Sequence, residues 1–309
     1  MRDIFVRTLS ELMDRDERIF LITADMGYFI FDAIKKKYPR RFINLGIAEA
    51  NMIGVCAGLA LSGKIPFAYA ITSFITSRAF EQIKVDVCYH KANVKIVGIG
   101  SGITYGTSGP THQSIADIAI MRSLPHMTIF SPADPVDSLK ITKAAYEHNG
   151  PVYIRLAKQG EPVINKDDYK FKIGKGVELR SGRDATIIAT GSIINNALKA
   201  QEELERNGLK VRVINMHTLK PIDKDIILKA AEETKAILTL EEHNVLGGLG
   251  SIVAEVLVEE AKTKIKFRRL GLNDTFCLDY GSDECLHRKY QLDSLYITQA
   301  IKTLVREKR

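Results

Sequence analysis

Short apolar runs of strand length recur along this chain, each set apart from the next by a stretch with helical spacing. That alternation restricts the fold more than any other feature. In the first half the runs are Ile19-Phe20-Leu21-Ile22-Thr23, Phe42-Ile43-Asn44, Pro66-Phe67-Ala68-Tyr69-Ala70, Val94-Lys95-Ile96-Val97-Gly98-Ile99, Met127-Thr128-Ile129-Phe130 and Val152-Tyr153-Ile154-Arg155-Leu156. Helical stretches lie between them: 2–14, with Ile4, Phe5, Leu9, Leu12 and Met13 apolar, then 30–37, a helix begun by Glu49, 73–90, 114–122 and 134–148. Strands that alternate with helices form parallel sheets covered on both faces.

From 158 to 180 the pattern breaks. Lys158-Gln159-Gly160-Glu161-Pro162 and Asn165-Lys166-Asp167-Asp168 are polar and turn-rich, as in a linker. A second unit follows, with strands at 185–189, 210–214, 236–240 and 265–268 and helices at 193–207, 223–233, 250–262 and 294–307, the last capped by Ser294. The expected fold is therefore α/β with two doubly wound domains. A larger parallel-sheet domain spans 1–157, a linker 158–180, and a smaller, mainly parallel domain 181–309.

Composition narrows the function. The 309 residues are 45% hydrophobic and 26% charged, as in a soluble globular protein. No run of about 18 apolar residues suggests a membrane span, and the N-terminus lacks a secretory pattern. The net charge of +7 is spread along helices among acids, which reads as solvated faces and not as a nucleic-acid surface. Cys56, Cys88, Cys277 and Cys285 include no CxxC pair and read as reduced thiols of a cytoplasmic protein. Cys277, Cys285 and His287 match no common zinc spacing, so no metal ligand is assigned.

Three places carry candidate chemistry. Glu49 stands where a short strand gives way to a helix of small and apolar residues. Burial disfavours its charge, while the helix N-terminus favours an anion. Acid/base catalysis and helix capping are equally compatible with that position. The loop 98–113 lies at the end of a strand, holds five glycines counting Gly98, and ends in Gly109-Pro110-Thr111-His112-Gln113. In open parallel sheets ligands bind at such carboxyl ends, which favours a functional His112. Arg155 ends a strand and suits capture of a phosphate or carboxylate, with a salt bridge at the domain boundary as the alternative. Arg78 lies in a helix beside Glu81 and Gln82, which offer it surface pairing. Phe74, at the start of that helix, either stacks on a flat ligand or fills the core. Gly247-Gly248-Leu249-Gly250-Ser251 opens another helix, where an anion or close packing explains the glycines equally well.

Taken in order, Gly46-Ile47-Ala48-Glu49, Ser73-Phe74 with Arg78-Ala79-Phe80-Glu81-Gln82, Gly109-Pro110-Thr111-His112-Gln113 and Val152-Tyr153-Ile154-Arg155 resemble the C-terminal half of a transketolase. The same portion of 1-deoxyxylulose-5-phosphate synthase is similar, and the resemblance extends through Glu241-Glu242-His243-Asn244 and Gly247-Gly248-Leu249-Gly250. It implies a pyrimidine-binding domain over 1–157 and a transketolase C-terminal domain over 181–309. The implied cofactor is thiamine diphosphate, with Mg²⁺ or another divalent cation. The family holds the diphosphate and metal through a Gly-Asp-Gly motif, which this sequence lacks. The resemblance thus implies one subunit of a split transketolase, active with a separate N-terminal subunit that carries the motif, in an α2β2 assembly.

By the same resemblance Glu49 hydrogen-bonds N1′ of the aminopyrimidine and so activates the cofactor. Ile47 lines the pyrimidine pocket, and either Phe74 or Ile75 faces the ring. Asp25 lies near the cofactor and the protomer interface, and His112 contacts sugar hydroxyls. Arg155 and Arg78 bind the substrate phosphate. Ser108 replaces an Asp that reads a donor hydroxyl, and Gly100 replaces a substrate-contacting His, so the sugar pair is left open. The reaction implied is ketol transfer from a ketose phosphate to an aldose phosphate. The alternatives are a synthase-type condensation, the E1 β subunit of a 2-oxo acid dehydrogenase, and a non-catalytic assembly partner.

Overall fold

The computed structural model describes residues 1–158 and 160–306. Gln159 of the expected linker, and residues 307–309 at the end of the last expected helix, lie outside the described residues. The chain opens with α1 (Arg2–Arg15), β1 (Ile19–Thr23), α2 (Asp32–Lys37), β2 (Phe42–Asn44), α3 (Glu49–Leu61) and β3 (Ile65–Ile71). The helix expected over 73–90 is broken. It runs as α4 (Thr72–Arg78), one turn α5 (Phe80–Gln82) and a π-helical segment Ile83–Tyr89, with the break at Ala79, whose φ of −105° and ψ of 15° are not helical. Then come β4 (Lys95–Ile99), α6 (Asp117–Arg122), β5 (Thr128–Phe130), α7 (Pro135–Glu147) and β6 (Val152–Leu156).

The second half contains β7 (Val177–Arg180), β8 (Ala185–Ala189), α8 (Ile194–Arg206), β9 (Val211–Asn215), β10 (Thr218–Lys220), α9 (Lys224–Glu233), β11 (Ala236–Asn244), α10 (Leu249–Glu260), β12 (Lys266–Leu272), α11 (Asp283–Lys289) and α12 (Ser294–Arg306). None of the described helices is long and apolar enough to cross a membrane.

Two sheets result. The first has the order β10-β5-β6-β4-β3-β1-β2, parallel throughout except for β10, and the second the order β12-β11-β8-β9-β7, parallel except for β7. The α/β architecture read from the alternation is the one observed. Two strands were not expected. β7 occupies the end of the stretch read as linker, and β10 leaves the second unit to pair with β5 at the edge of the first sheet.

Packing ties the units together as well. Phe5, Leu9, Phe67, Tyr69 and Ile141 fill one face of the first sheet. The other face shares one apolar cluster with the second unit, since Ile53, Ile75, Ile96 and Met121 belong with Ile188, Ile214, Leu249 and Val253. The remaining face of the second sheet packs Ile187, Leu238 and Ile194 against Ile297 and Ile301.

In the first sheet the chain leaves β1 toward β2 and then returns to β3 on the other side. The carboxyl ends of β1 and β3 therefore flank the point where the strand order reverses, a natural crevice for a ligand.

Candidate active site

The segments carrying Asp25, Glu49, Phe74 and His112 meet at that carboxyl edge. Glu49 is the first residue of α3 and only 4% exposed, although the helix has no side-chain N-cap. Glu49 is thus not a capping residue. Both its oxygens accept from Arg78 Nη1, at 3.2 and 3.1 Å, and the Arg78 side chain is half exposed. Pairing with a guanidinium offsets the cost of burying the carboxylate. This corrects one expectation for Arg78: its acid is Glu49 and not the neighbouring Glu81, and half of its side chain stays open to the crevice. Its position one helical turn beyond Phe74 puts the guanidinium 4.1 Å from that ring's centroid and over the start of α3.

Phe74 and Ile75 separate cleanly. Ile75 is fully buried in the core between α3 and the sheet, so it cannot face a ligand, while Phe74 is only partly covered and meets the His112 ring edge-on at 5.1 Å. Ile47, just before α3, leaves 74% of its surface open, an apolar side chain at the mouth of the crevice. Asp25 follows β1 with φ of 51°. Asn44 at the end of β2 accepts from the Asp25 amide at 2.9 Å and from the Gly46 amide at 3.0 Å, which ties the two strand ends together. The Tyr28 hydroxyl, and after it the Asn44 amide, hold the Asp25 carboxyl below the usual range.

The glycine-rich loop brings His112 to the same place. Its ring lies against Phe74 on one side and 6.0 Å from the Tyr105 centroid on the other, and its Nδ1 is 3.0 Å from Thr111 Oγ1. Ser73 Oγ donates to the carbonyls of Thr111 and His112, so α4 holds this end of the loop. Lys158, two residues past β6, sets its ammonium 5.2 Å from the centroid of the same Tyr105 ring.

Arg155 behaves differently from the expectation. It is 2% exposed and its Nε donates to Asp117 Oδ2 at 2.7 Å, an oxygen that also accepts from Tyr153. Its Nη2 donates to the carbonyls of Ser114 and Glu242, at 3.3 and 2.8 Å. Burial works against the Asp117 charge, yet the Arg155 guanidinium holds that carboxyl below the usual range. Arg155 is therefore the domain-boundary bridge of the alternative reading and not an open phosphate anchor. The glycines at 247–250 are likewise already served. Glu241, from β11, accepts from the amides of Leu249 and Gly250 at 2.6 and 2.8 Å, and a β-carbon at Gly248 would sit 2.0 Å from its Oε2. The carboxyl group at that helix start is the chain's own, and burial raises its pKa to about 7.

Sequence reasoning assigned no role to Asn44, Tyr105 or Lys158. Tyr105 lies inside the glycine loop and was within reach as its one aromatic residue. Asn44 and Lys158 gave no local signal. Among the described residues no group of three or more His, Cys, Asp or Glu side chains is arranged to hold a metal ion. His287 instead bonds through Nε2 to Glu242.

Comparison with known proteins covers the whole chain. Residues 1–162 match the transketolase pyrimidine binding domain and residues 174–295 the transketolase C-terminal domain. A putative transketolase C-terminal section of Methanocaldococcus jannaschii is 41% identical over 304 residues, which are 97% of this chain and 95% of that protein. The 6-deoxy-6-sulfo-D-fructose transketolase subunit SqwH of a Clostridium species is 40% identical over 309 residues, 100% of this chain and 95% of that one. A solved split gene transketolase, described as an inactive beta4 tetramer, superposes with a TM-score of 0.89 at 41% identity, covering 100% of this chain and 98% of its own.

Proposed function

The chain belongs to the transketolase family, and we propose that it is the cofactor-activating subunit of a split transketolase. With a separate diphosphate-binding chain it moves a two-carbon ketol unit from a ketose phosphate to an aldose phosphate. Support comes from relatives of the same length, which are named as a C-terminal section and a subunit of transketolases. The observation that carries the reading is Glu49, a carboxylate buried at the crevice, whose hydrogen-bond partner is a half-exposed arginine.

The residues present fit the aminopyrimidine end of thiamine diphosphate. A buried acid, an exposed isoleucine and a partly covered phenylalanine ring converge there, as a flat, polar-edged heterocycle requires. The cofactor, when bound, supplies the electron sink for breaking and making the carbon–carbon bond. Glu49 would hold and return a proton at N1′, and Arg78 would keep that carboxylate oriented. Ile47 and Phe74 would exclude water from the ring's faces, and Asp25 would stand at the rim toward the second chain. His112 would donate to substrate hydroxyls. Lys158, at the open edge beside Tyr105, takes the substrate's anionic group in place of Arg155. The diphosphate and Mg²⁺ fall to the partner and its Gly-Asp-Gly motif, in an α2β2 enzyme.

The test is to mix the purified chain with its diphosphate-binding partner, thiamine diphosphate, Mg²⁺, xylulose 5-phosphate and ribose 5-phosphate. Ketol transfer is expected. Turnover of pyruvate without ketol transfer would instead favour the synthase or dehydrogenase reading. Glu49→Gln should leave assembly intact, by sedimentation, while removing at least ~100-fold of turnover. A variant with wild-type rates would refute the role given to Glu49.

A further inference from the structure

The loop that carries His112 has a neck, and the second domain holds it. Gly102 and Ser114 face each other across the neck, where the Ser114 amide donates to the Gly102 carbonyl at 2.8 Å. Gly102 has φ of +62°, and a β-carbon there would lie 2.6 Å from Glu242 Cβ and 2.9 Å from the Glu242 carbonyl oxygen. Arg155 Nη2 joins the Ser114 carbonyl to the Glu242 carbonyl, so both sides of the neck meet one residue of β11. The Glu242 side chain is fixed in turn. It is 2% exposed, bonded to His287 Nε2 from α11 and to Ser192 Oγ at 3.3 Å, while Asn196 from α8 meets His287 Nδ1 at 3.2 Å. A cavity of about 430 Å³, lined by Ser192, Asn196, Glu242, Asp283 and His287, borders this pair. None of these groups touches Glu49, Phe74 or His112. A hydrogen-bonded Glu–His pair beside a cavity adds little to a core, but it can set the position of the backbone to which it is attached.

We propose that Glu242 is a positioning residue for substrate binding: held by His287, it seats Gly102 and, with Arg155, sets where the loop presents His112. The second domain then acts on the first at the loop that reads the sugar. The part of this that concerns substrate rests on the role given above to His112.

The experiment uses the assembled two-subunit enzyme. Glu242→Gln keeps the shape, and its cavity-facing side leaves room for the amide. In this variant KM for xylulose 5-phosphate should rise about tenfold, kcat should stay within about twofold, and the melting temperature should be unchanged. His287→Gln should do the same and stands in if Glu242→Gln fails to fold. Combined with His112→Asn, Glu242→Gln should add nothing further to KM, because the side chain it positions has gone. Amide hydrogen exchange over residues 103–112 should quicken at least about tenfold in Glu242→Gln, while β11 exchanges as before. Unchanged exchange and unchanged KM overturn the proposal. So does a KM effect that adds in full to that of His112→Asn, or a fall in kcat that tracks a lower melting temperature. If His112→Asn alone leaves KM unchanged, it is the reading of His112 that fails, and the exchange rates still decide whether Glu242 positions the loop.

Discussion

Phe74 and Ile75 are consecutive apolar residues at a helix start, yet they do opposite work. Ile75 is wholly buried among α3, the sheet and the π-helical segment, and Phe74 lies between Arg78 and His112. Ile75→Ala should therefore cost about 2–4 kcal/mol of unfolding free energy, and Phe74→Ala no more than about 1 kcal/mol, both read from urea denaturation. The reverse ranking would show that Phe74 belongs to the core. The sequence left this pair open because both residues are apolar and adjacent, and the family resemblance fits either one as the ring-facing residue. Glu49 was legible, since a lone acid entering a helix of small residues is costly without a purpose. Its partner Arg78 was misread, because the sequence shows Glu81 three residues away and hides Glu49, 29 residues back. Arg155 was misread for the same reason: its acid is Asp117, 38 residues earlier.

At the level of elements, the long strands and helices were legible because burial on both faces leaves continuous apolar runs. The elements that escaped notice are short: β7 and β10 at sheet edges, and the seven-residue α11. β7 and β10 hold no two consecutive apolar residues, unlike the equally short β2 and β5, and the π-helical segment keeps enough apolar residues to pass for ordinary helix. The entry to β10 contains a pH-sensitive contact. His217 is 1% exposed and stacks on Phe171, ring centroids 4.6 Å apart, and its Nε2 finds no hydrogen-bond partner among the described residues. Burial pushes its pKa down from 6.5 to about 4. Between those values the unfolded chain binds a proton that the folded chain refuses. Folding stability thus rises with pH across this window and is lost as pH falls from about 6.5 toward 4. The loss from this group is of the order of 3 kcal/mol. His217→Phe keeps the stacking and removes the proton site, so unfolding free energies at pH 7 and pH 4.5 should differ less in the variant than in the wild type. An equal pH dependence in both would show that other groups set it.

At the scale of the molecule, the strand alternation and its interruption suggested two units, but not how firmly they are joined. That firmness comes from pairings between distant residues. Arg155 joins Asp117 to the Glu242 carbonyl, Asn215 Nδ2 donates to Asp137 Oδ2 at 2.8 Å, β10 extends the first sheet, and one apolar cluster draws on both halves. Side chains buried at such a seam couple the unfolding of the two units, because exposing either unit strips the other of its partners. The chain should then melt in one calorimetric transition, with equal calorimetric and van 't Hoff enthalpies. Arg155→Met tests the coupling at a buried ion pair. It leaves the Asp117 carboxylate with the Tyr153 hydroxyl alone, an uncompensated buried charge that costs about 3–5 kcal/mol. It also removes the link to Glu242. The expected result is a lower midpoint and a transition broadened or divided in two. Adding Asp117→Asn should restore much of the lost stability, since the unpaired charge is gone, but not the single transition, since the bridge to Glu242 is still absent. Two resolved transitions in the wild type would mean that the seam does not couple the domains.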